Sequence, residues 1–226
     1  MAKNSPPTTP GQHFFAAFGL DGSPGCLVRK ETRIYYHAQN PAAITRKAGR
    51  CAGVVWMCNP GSAGSPVGPS PWGVLAPDPT LRAVLSMYQQ AVKAKASEVS
   101  PGQNDYLLIL NCFYAVDKNH AAGYAQWLAS KCTYGERVPK KARFVVAAWG
   151  ADKPQGPVWC AVRAIRRQRK RRGSSPFVVY INAPALRTNP ARLSSRLAEM
   201  NYPLHPLNHL FAGSPPNLAA ALAHHL

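Results

Sequence analysis

Short apolar runs and helical stripes alternate along this chain. Residues 53–58 (GVVWMC), 106–110 (YLLIL), 143–148 (RFVVAA) and 177–181 (FVVYI) are nearly continuous apolar runs rich in β-branched and aromatic side chains. Runs of that length and character belong to strands covered on both faces, as in the middle of a parallel sheet. Between them the spacing turns helical. Asp78 and Pro79 open one helix, whose stripe passes through Leu81, Val84, Leu85 and Tyr88; a capping carboxylate followed by Pro is a helix-start signal. Residues 121–131, 158–171 and a segment from Asn189 and Pro190 to about Met200 read the same way. The alternation predicts an α/β fold, a three-layer α/β/α sandwich around a central, mostly parallel four-stranded sheet. Residues 27–36 read as an extended or hairpin segment ahead of it, and NPGSAGSPVGPSPWG, after Cys58, as a loop that no regular element can use. The Pro-rich residues 1–12 read as a tail, leaving 13–226 as one domain.

In open parallel sheets, ligands bind beyond the carboxyl ends of the strands. The residues that end the apolar runs therefore carry the candidate chemistry: Asn59 with Pro60, Asn111, Trp149 with Gly150, and Asn182 with Pro184. An amide both donates and accepts, which suits reading a nucleobase edge or holding a water. Each amide taken alone is equally a residue that satisfies turn backbone groups. Asp78 has two readings as well, a helix cap and a carboxylate that orients a water.

Charge narrows the partner. Lys and Arg total 27 against 9 Asp and Glu, a formal net charge of +18 in 226 residues, which points to a polyanion. The run RRQRKRR places Arg166, Arg167, Arg169, Lys170, Arg171 and Arg172 together, with Lys140 and Lys141 as further cations for the same track. A solvated helix end that complements the helix dipole is the alternative for that run. No apolar stretch is long enough to span a bilayer. The six cysteines show no C-x-x-C spacing and read as free thiols in a reducing cytoplasm, with no metal site expected. Trp72 and Tyr114 are candidates to stack on a base, while Trp56, inside a strand, reads as core.

VVWMCNPGSAG at 54–64, LLILNCF at 107–113, FVVAAWG at 144–150 and HPL at 205–207 follow one another in the order of the uracil-DNA glycosylase superfamily. The chain resembles that superfamily in its N-P-G loop, its strand ending in a base-reading Asn, its W-G strand end and its H-P motif. It resembles still more closely an uncharacterised bacterial and phage family with N-P-S, D-P-T, W-G and H-P-L, since Asp78, Pro79 and Thr80 also match.

The resemblance implies a monofunctional DNA glycosylase that flips a pyrimidine out of the strand and hydrolyses its glycosidic bond, without metal or cofactor. Asn59 would orient the attacking water, with Asp78 the loop's only carboxylate, and Asn111 would bond the base edge. His205 would donate to the departing base, with Asn182 as the alternative donor directly after the fourth strand. The small residues Gly61, Ser62, Ala63 and Gly64 stand where uracil-selective enzymes carry a bulky aromatic, so a roomier pocket for a 5-substituted pyrimidine is expected beside Pro60. The expected molecule is a cytoplasmic monomer bound to single- or double-stranded DNA. Its rivals are a non-catalytic nucleic-acid binder with the same fold, and a nucleoside or nucleotide hydrolase that leaves the positive charge unexplained.

Overall fold

A computed structural model describes residues 11–61, 72–148 and 177–180. Its strands are β1 (Gln12–Asp21), β2 (Cys26–Gln39), β3 (Cys51–Met57), β4 (Trp72–Val74), β5 (Tyr106–Asn111), β6 (Phe144–Ala148) and β7 (Phe177–Tyr180). All of them join one seven-stranded sheet in the order β4-β1-β2-β5-β3-β6-β7. The four expected apolar runs are the neighbours β5, β3, β6 and β7, mutually parallel. The expectation of a four-stranded, mostly parallel sheet is nevertheless corrected, because three antiparallel strands extend it. The fold is mixed α/β.

The extension has a local cause. A turn around Gly22, at φ +79, folds β2 back on β1, and the long β2 then pairs with β5 from Thr32↔Ile109 to Tyr35↔Tyr106. Residue 12 is the first of β1 rather than the last of a tail, and the remainder of that tail, residues 1–10, lies outside the described residues. β4 lies in the stretch expected to hold no regular element; its three residues are held by pairing with Phe15–Ala17 of β1.

Helix α1 (Pro79–Ala94) connects β3 to β5, and α2 (His120–Ala129) follows β5. In α1 the buried positions Leu81, Val84, Met87, Tyr88, Ala91 and Val92 recur every three or four residues, which puts them on one stripe. They pack on Val55, Met57, Ile109, Val146 and Ala148 of the sheet and on Phe14, Ala16 and Ile34 of the hairpin. Each of the Leu, Val and Met side chains among them contributes about 1.5–3 kcal/mol of burial. The alternate residues Val54, Leu110 and Val145 are equally buried on the other face. There Tyr124 and Trp127 of α2 join Val28, Phe113 and Tyr114 in a second cluster. Gly53 lets β3 and β6 approach, since a Cβ on it would stand 2.2 Å from the ring of Phe144. The helices expected at 158–171 and 189–200 lie outside the described residues. Among the described residues no helix is long and apolar enough to cross a membrane.

Candidate active site

Met57 and Asn111 are register partners at the carboxyl ends of β3 and β5. The chain leaves both strands in concert, the Cys112 N–H donating to the carbonyls of Met57 and Cys58 at 3.0 and 2.9 Å. Just beyond, Asn59 donates from Nδ2 to the Asp117 carbonyl at 2.8 Å. That bond fixes the amide by its nitrogen and leaves Oδ1 as the end turned away from it, the end a water would donate to. Pro60 is buried, and Gly61 turns the chain at φ +66, a conformation that favours glycine. A Cβ on Gly61 would sit 3.2 Å from Asp78 Oδ2. Asp78 is the N-cap of α1, its Oδ1 accepting from the Leu81 N–H at 2.9 Å. The fold thus gathers Asn59, Pro60, Gly61, Asp78 and Asn111 at one end of the sheet, where α1 begins.

Asn111 is 3% exposed, and neither Oδ1 nor Nδ2 has a hydrogen-bond partner. A buried amide with both ends unsatisfied is rare, because its desolvation is not repaid by any bond. It lies on the α1-covered face, alternating with Leu110 and in line with Ile109 and Leu107 of the main core.

A second polar group reaches the same face from β2. Pairing between β1 and β2 passes from Phe15↔Arg33 to Ala17↔Lys30, so β2 carries one extra residue there, with Glu31 at φ 49. The bulge reverses the alternation and sets Arg29 opposite Phe18, which packs on the α1-side core. Arg29 is 1% exposed, its Nε and Nη1 are without partners, and no carboxylate among the described residues makes an ion pair with it. Burial lowers its pKa to about 10 while the nearby carboxylates of Asp78 and Glu136 hold it up, so the guanidinium stays charged at neutral pH. Thr32, paired with Ile109 on that face, has an unpartnered Oγ1 as well. The sequence analysis missed Arg29, which stands in LVRKETRIYY like any cation of a half-exposed strand.

Other candidates stand elsewhere. Tyr114 is buried in the second cluster, edge-on to Tyr134 with centroids 4.9 Å apart. Its hydroxyl accepts from the Asn111 N–H at 3.4 Å, which makes it a support for the strand end rather than a stacking platform. Trp72 stacks on Phe15 at 5.1 Å, on the edge strand β4, three strands from β5 in the sheet order. Lys140 and Lys141 are exposed but precede β6, at the end of the sheet opposite Asn111, so they do not rim this site. Ser62, Asn182, His205 and the run Arg166, Arg167, Arg169, Lys170, Arg171 and Arg172 lie outside the described residues.

Among the described residues no three His, Cys, Asp or Glu side chains gather to hold a metal. Cys26 and Cys132 meet with sulfurs 2.7 Å apart, and burial raises the Cys132 thiol to about 12. An open groove of about 700 Å³ lies between the C-terminal half of α1 and the hairpin, lined by His13, Tyr36, His37, Lys93 and Pro101. It is at the far end of the sheet from Asn111. No protein-family model, curated protein or solved structure matches this chain.

Proposed function

We propose that the protein is a monofunctional DNA glycosylase that takes a flipped pyrimidine into the space beyond β3 and β5 and hydrolyses its N-glycosidic bond. The observation that carries this reading is the Asn111 amide, buried with both of its ends unpartnered. A donor and an acceptor held side by side match the polar edge of a pyrimidine, and rigid placement avoids reorganisation when the base arrives. The parallel strands β5, β3, β6 and β7 are, in this reading, the core of a glycosylase-like sandwich, with the hairpin and β4 added at one edge.

This reading gives each group a part in the chemistry. Asn59, pinned through Nδ2, presents Oδ1 to a water and directs its lone pair at the sugar anomeric carbon. The sugar becomes oxocarbenium-like as the bond stretches, and the strand's own phosphates stabilise that charge. The base departs with the bonding electrons; the resemblance assigns the donor that meets it to His205 or Asn182, both outside the described residues. Because the interaction strengthens as charge develops, it lowers the barrier instead of merely tightening binding. The net charge of +18 supplies the attraction to DNA.

The test is incubation with DNA carrying uracil or 5-substituted pyrimidines, followed by alkali to reveal abasic sites. Wild-type protein should produce strand breaks, and Asn59→Ala should lower the rate by about 10²-fold or more. Salt-sensitive binding to DNA without abasic sites from any of these substrates would overturn the enzymatic reading and leave a nucleic-acid binder.

A further inference from the structure

The chain that follows β5 ties Asn59 to the start of β2. The Phe113 N–H donates to the Cys58 carbonyl at 3.3 Å, Val28 and Ala115 form an antiparallel bridge, and the Arg29 and Val116 N–H groups donate to the carbonyls of Tyr114 and Leu27. This strap ends at Asp117, whose carbonyl accepts from Asn59 Nδ2. Asn59 is only half-buried, so water competes for that bond, and its persistence depends on how firmly the carbonyl is aimed. The Asp117 side chain does the aiming. Its Oδ1 accepts from the Asn119 N–H, two residues on, at 2.7 Å, which makes an Asx turn. The ring closed by that bond contains the Asp117 carbonyl carbon, so it fixes the direction of the C=O. Helix α2 holds the turn from its other end: Asn119 is the N-cap, its Oδ1 accepting from the Ala121 and Ala122 N–H groups at 3.0 and 3.2 Å. Gly123 lets the first turn of α2 close in, since a Cβ there would stand 3.0 Å from the Asp117 Cβ.

We infer that Asp117 is a positioning residue for Asn59, its carboxylate holding the backbone carbonyl that in turn holds the amide. The catalytic consequence rests on the proposed glycosylase reading; the bond itself does not. An amide free to turn about its last torsion presents Nδ2 to the water for part of the time, and a donor there occupies the lone pair that has to attack the sugar. Pinning Nδ2 to the Asp117 carbonyl removes that orientation. Near reacting atoms, a misplacement of about 1 Å costs up to about 10²-fold in rate. The charge of the Asp117 carboxylate has no part in this, because an amide oxygen at the same position would close the same turn. Asp117 is thereby set apart from a general base, which needs its negative charge to take a proton.

Single-turnover excision by the full-length protein tests the catalytic part. Asp117→Ala should lower the rate by about tenfold, the equivalent of one lost orienting bond, with the half-saturating DNA concentration unchanged. Asp117→Asn should restore the rate to within about threefold, since its Oδ1 accepts the same bond. In an Asn59→Ala background, Asp117→Ala should cost nothing further, because it acts only through the amide it aims. A further fall in that background, or an Asn variant as slow as the Ala variant, would overturn the inference by showing that the carboxylate acts on its own. The bond is read without any substrate, from exchange with water of the Asn59 side-chain amide protons, identified in NMR spectra by their loss in Asn59→Ala. Asp117→Ala should speed that exchange by about tenfold, and Asp117→Asn should leave it at the wild-type rate. Unchanged exchange in the Ala variant would sink the inference even if excision slowed. Wild-type protein that excises nothing, with the exchange difference present, would remove the glycosylase and keep the positioning role; excision by wild type without that difference would do the reverse.

Discussion

Replacing Asn111 with Leu separates a residue kept for a ligand from one kept for the fold. The side chain is 3% exposed, both amide ends are orphaned, and the residues flanking it on its face are the apolar Met57 and Ile109. A buried polar group without a partner costs about 1–3 kcal/mol, and an apolar group of similar shape removes that penalty. Asn111→Leu should therefore stabilise the protein by about 1–3 kcal/mol. In urea that corresponds to a rise of about 0.5–1.5 M in the unfolding midpoint, taking a slope near 2 kcal/mol/M. The same change should lower excision by about 10²-fold, since the base loses its edge contacts at the transition state. Equilibrium unfolding followed by tryptophan fluorescence, together with single-turnover excision, measures both. An amide that served the fold would behave in the opposite way: its loss would orphan a partner and lower the midpoint. A Leu variant less stable than wild type would thus refute the reasoning, whatever its activity.

Two further outcomes follow from buried groups away from Asn111. Glu136 accepts from the Glu31 N–H through Oε1, has an unpartnered Oε2, and is raised by burial from 4.5 to about 7. The folded protein therefore binds that proton more tightly than the unfolded chain, so this group's contribution to stability falls as pH rises from about 4.5 to about 7, by at most about 3 kcal/mol. Glu136→Gln should remove that slope, as urea unfolding between pH 5 and 8 would show; parallel profiles for the two proteins would contradict the assignment. Gly53→Ala drives a methyl into the Phe144 ring, 2.2 Å away, and should destabilise by about 1–3 kcal/mol. Phe144→Leu in the same chain should recover part of that loss in thermal unfolding, and strictly additive effects would show that the two sites do not touch.

Much of the sheet was legible in the chain because central strands leave little choice. Runs such as GVVWMC and YLLIL cannot be exposed on either face, and the observed β3 and β5 match them to within about two residues. The start of α1 was legible for a local reason, the Asp78 cap before Pro79. The hairpin was harder. FFAAFGL in β1 has small residues among its aromatics and no strict alternation, and β4 has three residues whose ordering depends on β1 beside them. Tyr114 and Trp72 looked like stacking platforms because an aromatic near a motif reads the same whether its ring faces are open or packed. Neighbours distant in the chain decide that, and here Tyr114 is buried edge-on to Tyr134 while Phe15 stacks on one face of Trp72.

The amino-acid sequence by itself determined the parallel strands, the helix start and the amides that end the strands, since burial and capping act through near neighbours. Tertiary structure decided which polar groups meet. The face a strand residue occupies is a matter of odd or even count, so one inserted residue reverses it for everything beyond. Counting back from Ile34 in steps of two puts Arg29 away from α1; the bulge at Glu31, seen only in the pairing with β1, brings its charge to the face of Asn111.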